Sequence, residues 1–247
     1  MAQRTCTRQR PAAAATAALA AAALLTGCVG SDGGGGEKSA GSIEEAVAGS
    51  ARPLTEQQAR SVLPDAAAMP GRRARVRPVV ERMDGESGKS ICPETHRKGC
   101  DGGRFHGVAT FVEPSTNTQL DFWLIAYRDE RSAENAYDTL WDWFGRGVGI
   151  QPERVSIGAV GQERTARRGV PGTEGSPTAV AQIRVGATVL WLSTANSGPS
   201  GTGTAGGRAA KSTTAAADER LKALAGLFAG RAQQAERGET PSARLGG

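Results

Sequence analysis

The chain has 247 residues, with 30 Lys and Arg against 25 Asp and Glu, a formal net charge of +5. No basic run is interleaved with aromatics, so no nucleic-acid footprint is present. Two histidines in the whole chain leave little material for acid–base catalysis. Length alone allows one or two domains.

Residues 1–27 have the parts of a secretory signal. Arg4, Arg8 and Arg10 form a basic start, and Ala12 to Leu25 form an apolar stretch. At about 14 residues, that stretch is shorter than the ~20 a membrane span needs. Leu25-Thr26-Gly27-Cys28 follows. It resembles the lipobox of bacterial lipoproteins, and the resemblance implies cleavage before Cys28 and acylation, palmitate included, of that cysteine. Two or three acyl chains, each methylene worth ~0.8 kcal/mol when buried, would hold the protein on the outer face of the cell membrane. Without the three signal arginines the mature chain has 27 basic and 25 acidic residues, net +2. Residues 28–52 read as a Gly-rich flexible tether, residues 53–237 as a single domain, and residues 238–247 as a disordered tail.

Within the domain, Thr55-Glu56-Gln57-Gln58 is a capping-box pattern that opens a helix ended by Pro64. Ala74 to Met83 reads as a strand, either interrupted or put at an edge by Pro78. Arg104 to Val112 and Gln119 to Arg128 read as a hairpin-like pair. In the second of these, Leu120, Phe122, Leu124 and Ala126 share one face while Asp121, Trp123, Ile125 and Tyr127 share the other. Bulk on both faces makes it a central strand.

Ser132 is the expected N-cap of an amphipathic helix. Its stripe is Ala133, Ala136, Tyr137, Leu140, Trp141 and Phe144, and Gly145 is its stop. Val155 to Val160 and Gln162 to Arg168 are weaker strand candidates. Thr178 to Val185 and Thr188 to Ala195 form the clearest hairpin, with Gly186 at the first position of a type II′ turn. Residues 196–214, rich in Gly and Thr, read as a mobile loop. A last helix is expected from about Ala215 to Ala235, with Leu221, Leu224, Phe228 and Ala232 as its stripe. Without a regular strand–helix alternation the fold class is α+β: an antiparallel β-sheet with amphipathic helices packed mainly on one face.

The chemistry is sparse. Cys92 and Cys100 remain once Cys6 leaves with the signal and Cys28 is acylated, and an oxidising compartment pairs them as a disulfide by default. The alternative is a metal site in which Cys92, His96, Cys100 and His106 supply two sulfurs and two nitrogens, but its cysteine spacing is wide for zinc. His106 lies in a strand and reads as half-buried or surface. No Gly-x-Ser-x-Gly elbow is present, so catalytic residues, metal ligands and cofactors are expected to be none. Gly201-Thr202-Gly203-Thr204-Ala205-Gly206 matches a dinucleotide fingerprint but lacks its strand-to-helix setting. Glu134, Asp138 and Asp142, spaced four apart, read as a solvated helix face. Trp143 falls off the apolar stripe and is the candidate for a groove.

Leu54-Thr55-Glu56-Gln57-Gln58-Ala59-Arg60, the Phe122-to-Phe144 unit and Arg184-Val185-Gly186 together resemble actinobacterial lipoproteins whose domain is like the extracellular sensor of the mycobacterial kinase PknH. The resemblance runs from about Pro53 to Ala235. It implies an antiparallel sheet flanked by helices, a ligand cleft and no catalytic residues. That family's sensor is held by two disulfides, whereas this chain can form only one. The function expected is therefore a non-enzymatic, extracytoplasmic ligand-binding or sensory lipoprotein, its partner an unknown small ligand or envelope protein. The alternatives are an envelope interaction module and a lipid carrier.

Overall fold

The strand that carries bulk on both faces organises the molecule. In the computed structural model, described here for residues 52–84, 88, 91–92, 94–148, 150–170, 177–196 and 207–246, it is an inner strand, third of seven in one sheet. The signal, Cys28, the tether and the segment 197–206, including the Gly201–Gly206 fingerprint, fall outside the described residues.

Chain order is α1 (Glu56–Val62), β1 (Arg73–Arg82), a 3-10 turn (Glu94–Gly99), β2 (Gly103–Glu113), β3 (Thr118–Tyr127), α2 (Glu130–Phe144), β4 (Ile150–Arg154), β5 (Glu163–Val170), β6 (Pro177–Val185), β7 (Thr188–Asn196) and α3 (Gly207–Glu236). The sheet order is β1-β2-β3-β7-β6-β5-β4, every pair antiparallel. The class is α+β, as the pattern of elements predicts.

Two helices share one face. Leu221, Leu224, Phe228 and Ala232 of α3, with Ala59 and Val62 of α1, pack on Phe111, Leu120, Phe122, Leu124, Ile183 and Leu192. Helix α2 takes the other face, where Ala133, Ala136, Tyr137 and Leu140 meet Ile125, Tyr127 and Val189. The alternation along β3 thus serves two cores, one on each side.

Local signals account for several boundaries. Thr55 caps α1 through a reciprocal pair: its hydroxyl accepts the Gln58 N–H, and the Gln58 side chain accepts the Thr55 N–H. Pro78 sits on edge strand β1 where the register slips between Val76 and Val79. Gly186 has φ +45°, as the first residue of its tight turn requires.

Four expectations are corrected. The cap of α2 is Asp129, not Ser132: an Asp129 carboxylate oxygen accepts the Ser132 N–H at 2.7 Å, and Ser132 lies buried inside the first turn. The stretch Val155 to Val160 is irregular, and the strand there is β4, ending at Arg154. Asn196 belongs to β7, and α3 begins at Gly207, so the loop expected over 196–214 is far shorter. Once Ala215–Ala217 hold a helix, extending it through Ser and Thr costs only tenths of a kcal/mol per residue.

The tail after 237 is the fourth correction. The Gln234 side-chain oxygen accepts the N–H of Ser242 at 2.9 Å and of Ala243 at 3.2 Å. The Leu245 N–H donates to the Ala68 carbonyl at 2.9 Å, and the Leu245 side chain is buried in the core. These bonds and that burial hold the segment in place.

A carboxylate at the end of α3 makes stability depend on pH. Glu236 accepts the Ala187 N–H at 3.2 Å in the β6–β7 turn. Burial pushes its pKa up to about 7, with Glu130 adding to the rise while Ala187 and Arg184 oppose it. The folded chain therefore holds this proton more tightly than the unfolded chain. The resulting stabilisation is full below about pH 4.5 and is lost as pH rises through about 7. A Glu236→Gln variant keeps the acceptor and removes the titration. It should match the wild type near pH 4.5 and exceed it by roughly 1–2 kcal/mol at pH 8, after discounting for partial exposure. Urea denaturation at the two pH values checks this; parallel pH profiles would refute it.

Candidate functional site

The second face of the sheet carries a row of large side chains set by strand register. Val108 pairs with Trp123, Trp123 with Trp191, and Trp191 with Gln182. Their side chains share a face because paired residues in adjacent strands point the same way. The neighbouring row places His106 opposite Ile125, and Ile125 opposite Val189.

Helix α2 delivers Phe144 onto this surface from its last turn. The Phe144 ring lies 5.9 Å from Trp123 and 5.1 Å from Trp191, and the two indoles meet edge to face at 5.9 Å. His106 meets Trp123 edge-on at 5.6 Å. Such edge contacts each add about 0.5–1.5 kcal/mol beyond burial.

Between these rings lies a half-open niche lined by His106, Trp123, Leu140, Phe144, Gln182 and Trp191. Its volume is about 10 Å³, room for one water-sized group. Its polar atoms are unusual. The Gln182 amide oxygen, both indole N–H groups and His106 Nε2 are buried without a hydrogen-bond partner. Of the six such side-chain atoms among the described residues, these four belong to residues that line one niche. A buried polar group left unpaired costs about 1–3 kcal/mol, so the clustering is not neutral.

Gln182 is held rigidly. It is 0% exposed, its amide nitrogen donates to the Tyr137 carbonyl at 2.6 Å, and the Tyr137 hydroxyl donates to the Gln182 carbonyl at 3.1 Å. Burial pushes the His106 imidazole below its ordinary pKa, against a smaller opposing effect of Glu81, so the ring is neutral near pH 7. The residues around the niche therefore carry two donors, one acceptor and a neutral imidazole, all buried, while the niche surface itself is almost wholly apolar. The arrangement suits a small group that both donates and accepts.

The residues singled out in the sequence lie as follows. Cys92 and Cys100 have Cα atoms 6.1 Å apart, a span that a disulfide bridges. Their loop is held to β3 by the Tyr127 hydroxyl, which donates to the Gly99 carbonyl at 2.5 Å. His96 lies in the 3-10 turn of that loop, while His106 sits in β2. Among the described residues no group of three or more His, Cys, Asp or Glu is placed to hold a metal ion. Glu134, Asp138 and Asp142 are exposed or nearly so along the outer side of α2. Trp143 stacks on Phe144 with ring centres 4.4 Å apart, behind the niche and not in its lining.

Gln182, Trp191 and His106 as a group were not legible in the sequence. One signal was available: the turn at Gly186-Ala187 fixes the hairpin register, which pairs Gln182 with Trp191. A glutamine amid Val180, Ala181 and Ile183 is out of place in a buried strand.

No protein-family model matches this chain, and no curated protein is similar to it in sequence. Among solved structures, the extracellular domain of PknH from Mycobacterium tuberculosis superposes with a TM-score of 0.42 at 10% identity, over 76% of this chain and all of that one. No helix among the described residues is long and apolar enough to cross a membrane.

Proposed function

We propose that this chain is a lipid-anchored protein of the outer membrane face whose domain holds a small ligand by one polar end, without catalysing its conversion. The anchor is supported by Leu25-Thr26-Gly27-Cys28 behind a basic and then apolar start. The binding role rests on one observation: four partnerless buried polar atoms belong to the residues that enclose the Gln182–Trp191 niche. A single hydroxyl is the simplest complement of a space this small, because its O–H suits the Gln182 oxygen and its oxygen accepts from an indole N–H. A flat apolar body outside the niche would rest against Trp123 and Phe144. The niche has no room for an acyl chain.

Two measurements test the two halves separately. Mass spectrometry of the native protein should find an acylated Cys28 at the amino end; an intact Met1 refutes the anchor. Titration with benzyl alcohol should shift the fluorescence of Trp123 and Trp191. Gln182→Leu and Trp191→Phe should each weaken the apparent affinity about tenfold or more, the usual effect of one lost polar contact. A silent titration, or variants that bind as the wild type does, refutes the niche as the site.

A further inference from the structure

The edge strand β1 carries features that neither core uses. Among the described residues, the large apolar side chains left exposed are Val76, at 37%, and Val79, at 41%, both on this strand. They are interleaved with Arg73, Arg75 and Arg77, all exposed. Among the described residues, Arg73 and Arg77 make no ion pair, and Arg75 bonds the Gln119 side chain, at 3.0 Å. The nearby arginines differ: Arg72 is paired with Glu113, and Arg82 with Asp84. Three uncompensated guanidiniums and two bare valines thus lie along one free sheet edge.

An exposed edge with apolar side chains is a hazard in water, and proteins usually blunt it with charge or cover it. Charge alone would explain the arginines but not the valines between them. Alternating cationic and branched apolar groups match the boundary of an anionic lipid leaflet, where guanidiniums meet phosphates and short apolar side chains enter the headgroup layer.

Chain geometry favours the same occupant. The 24 positions from Cys28 to Arg52 can span at most about 80 Å even when fully extended. They lead to α1, whose Val62 and C-cap Leu63 share a core with Val80 of β1. Anchoring at Cys28 would therefore hold β1 at a raised effective concentration near the bilayer.

We propose that β1 docks the domain edge-on against anionic phospholipid headgroups, with Arg73, Arg75 and Arg77 on phosphates and Val76 and Val79 in the headgroup layer. This rests on the lipid anchor proposed above for its geometry, but the surface is testable without it. The reagent is the chain without residues 1–28; the core among the described residues runs from Leu54 to Leu245.

That protein should float with vesicles containing 30% phosphatidylglycerol and not with pure phosphatidylcholine. The triple variant R73Q/R75Q/R77Q should lose about fivefold in partition coefficient per arginine, on the order of a hundredfold in all. The R73K/R75K/R77K variant keeps the charge and should retain most of the binding. Raising the salt to 0.5 M should release the wild type, an arm that needs no variant. Equal flotation with both vesicle types, salt-insensitive binding, or an unchanged Gln variant overturns the docking surface. A native protein without acyl chains refutes the anchor while leaving these results standing, so the two failures are distinguishable.

Discussion

Replacing Arg231 with methionine should cost about 3–5 kcal/mol of folding stability, the range for breaking a buried charged network. Arg231 is 5% exposed and has no carboxylate in contact; Asp65 acts only at longer range. Its guanidinium donates instead to four backbone carbonyls: Ser61 at 2.7 Å, Val62 at 3.1 Å, Leu63 at 3.3 Å and Ala243 at 3.1 Å. Three of these are the last carbonyls of α1 and its C-cap, which have no partner within the helix. A cation at that end also complements the helix dipole.

The arginine therefore joins three segments distant in sequence: α1, α3 and the terminal tail. Methionine fills similar volume but leaves four carbonyls buried and unpaired. With a total stability of order 5–15 kcal/mol, the loss is a large fraction, and Tm should fall by roughly 8–15 °C. Arg231→Lys should recover only part, because one ammonium cannot span four oxygens. Freed from Ala243, the tail should also become sensitive to carboxypeptidase. A methionine variant within about 1 kcal/mol of the wild type by urea denaturation would remove Arg231 as the link.

Arg231 also shows why part of the fold was not legible. In sequence it is one more arginine in an Ala-rich helix, and its partners lie about 170 residues upstream. Nothing local distinguishes it from the exposed Arg237. The tail was missed for the same reason, because Gln234 and Arg231 hold it through side chain-to-backbone bonds that leave no periodicity. What was legible is local. The 3.6-residue stripes of α2 and α3, the hairpin turn at Gly186 and the edge assignment from Pro78 all express rules that act over a few residues. The α2 start was misplaced by three residues because Asp129 and Ser132 are both good caps, and only the packing of Ser132 decides between them.

The candidate site was half legible. Hairpin geometry pairs Gln182 with Trp191, and strand alternation puts Trp123 opposite the Phe122 core. Bringing Trp123 beside Trp191 requires β3 to pair with β7, across about 60 residues of chain. Nothing in the sequence specifies that partner. The consequence is that the four partnerless atoms come from four strands and are visible only once the sheet order is known.

The largest single core effect should come from Phe228. It is fully buried on α3 and meets Phe122 edge-on at 5.4 Å, while Phe122 meets Phe111 at 6.2 Å. This chain of rings fastens the last helix to the middle of the sheet. Phe228→Ala should cost about 3–5 kcal/mol, from lost transfer energy plus the cavity left between helix and sheet. Phe228→Leu should cost roughly 1–1.5 kcal/mol, since most of the volume stays filled. The pair Phe122→Leu and Phe228→Leu should be non-additive by about 0.5 kcal/mol or more, because each single change already breaks the shared edge contact.

The niche lies on the opposite face of β3. Below its lowered melting range, the Phe228→Ala protein should therefore keep the wild-type benzyl alcohol response and tryptophan emission maximum. Loss of both in a variant that remains folded by circular dichroism would mean that the two faces are coupled. The aromatic cluster around Trp191 would then be a second half of the core and not a separate binding surface.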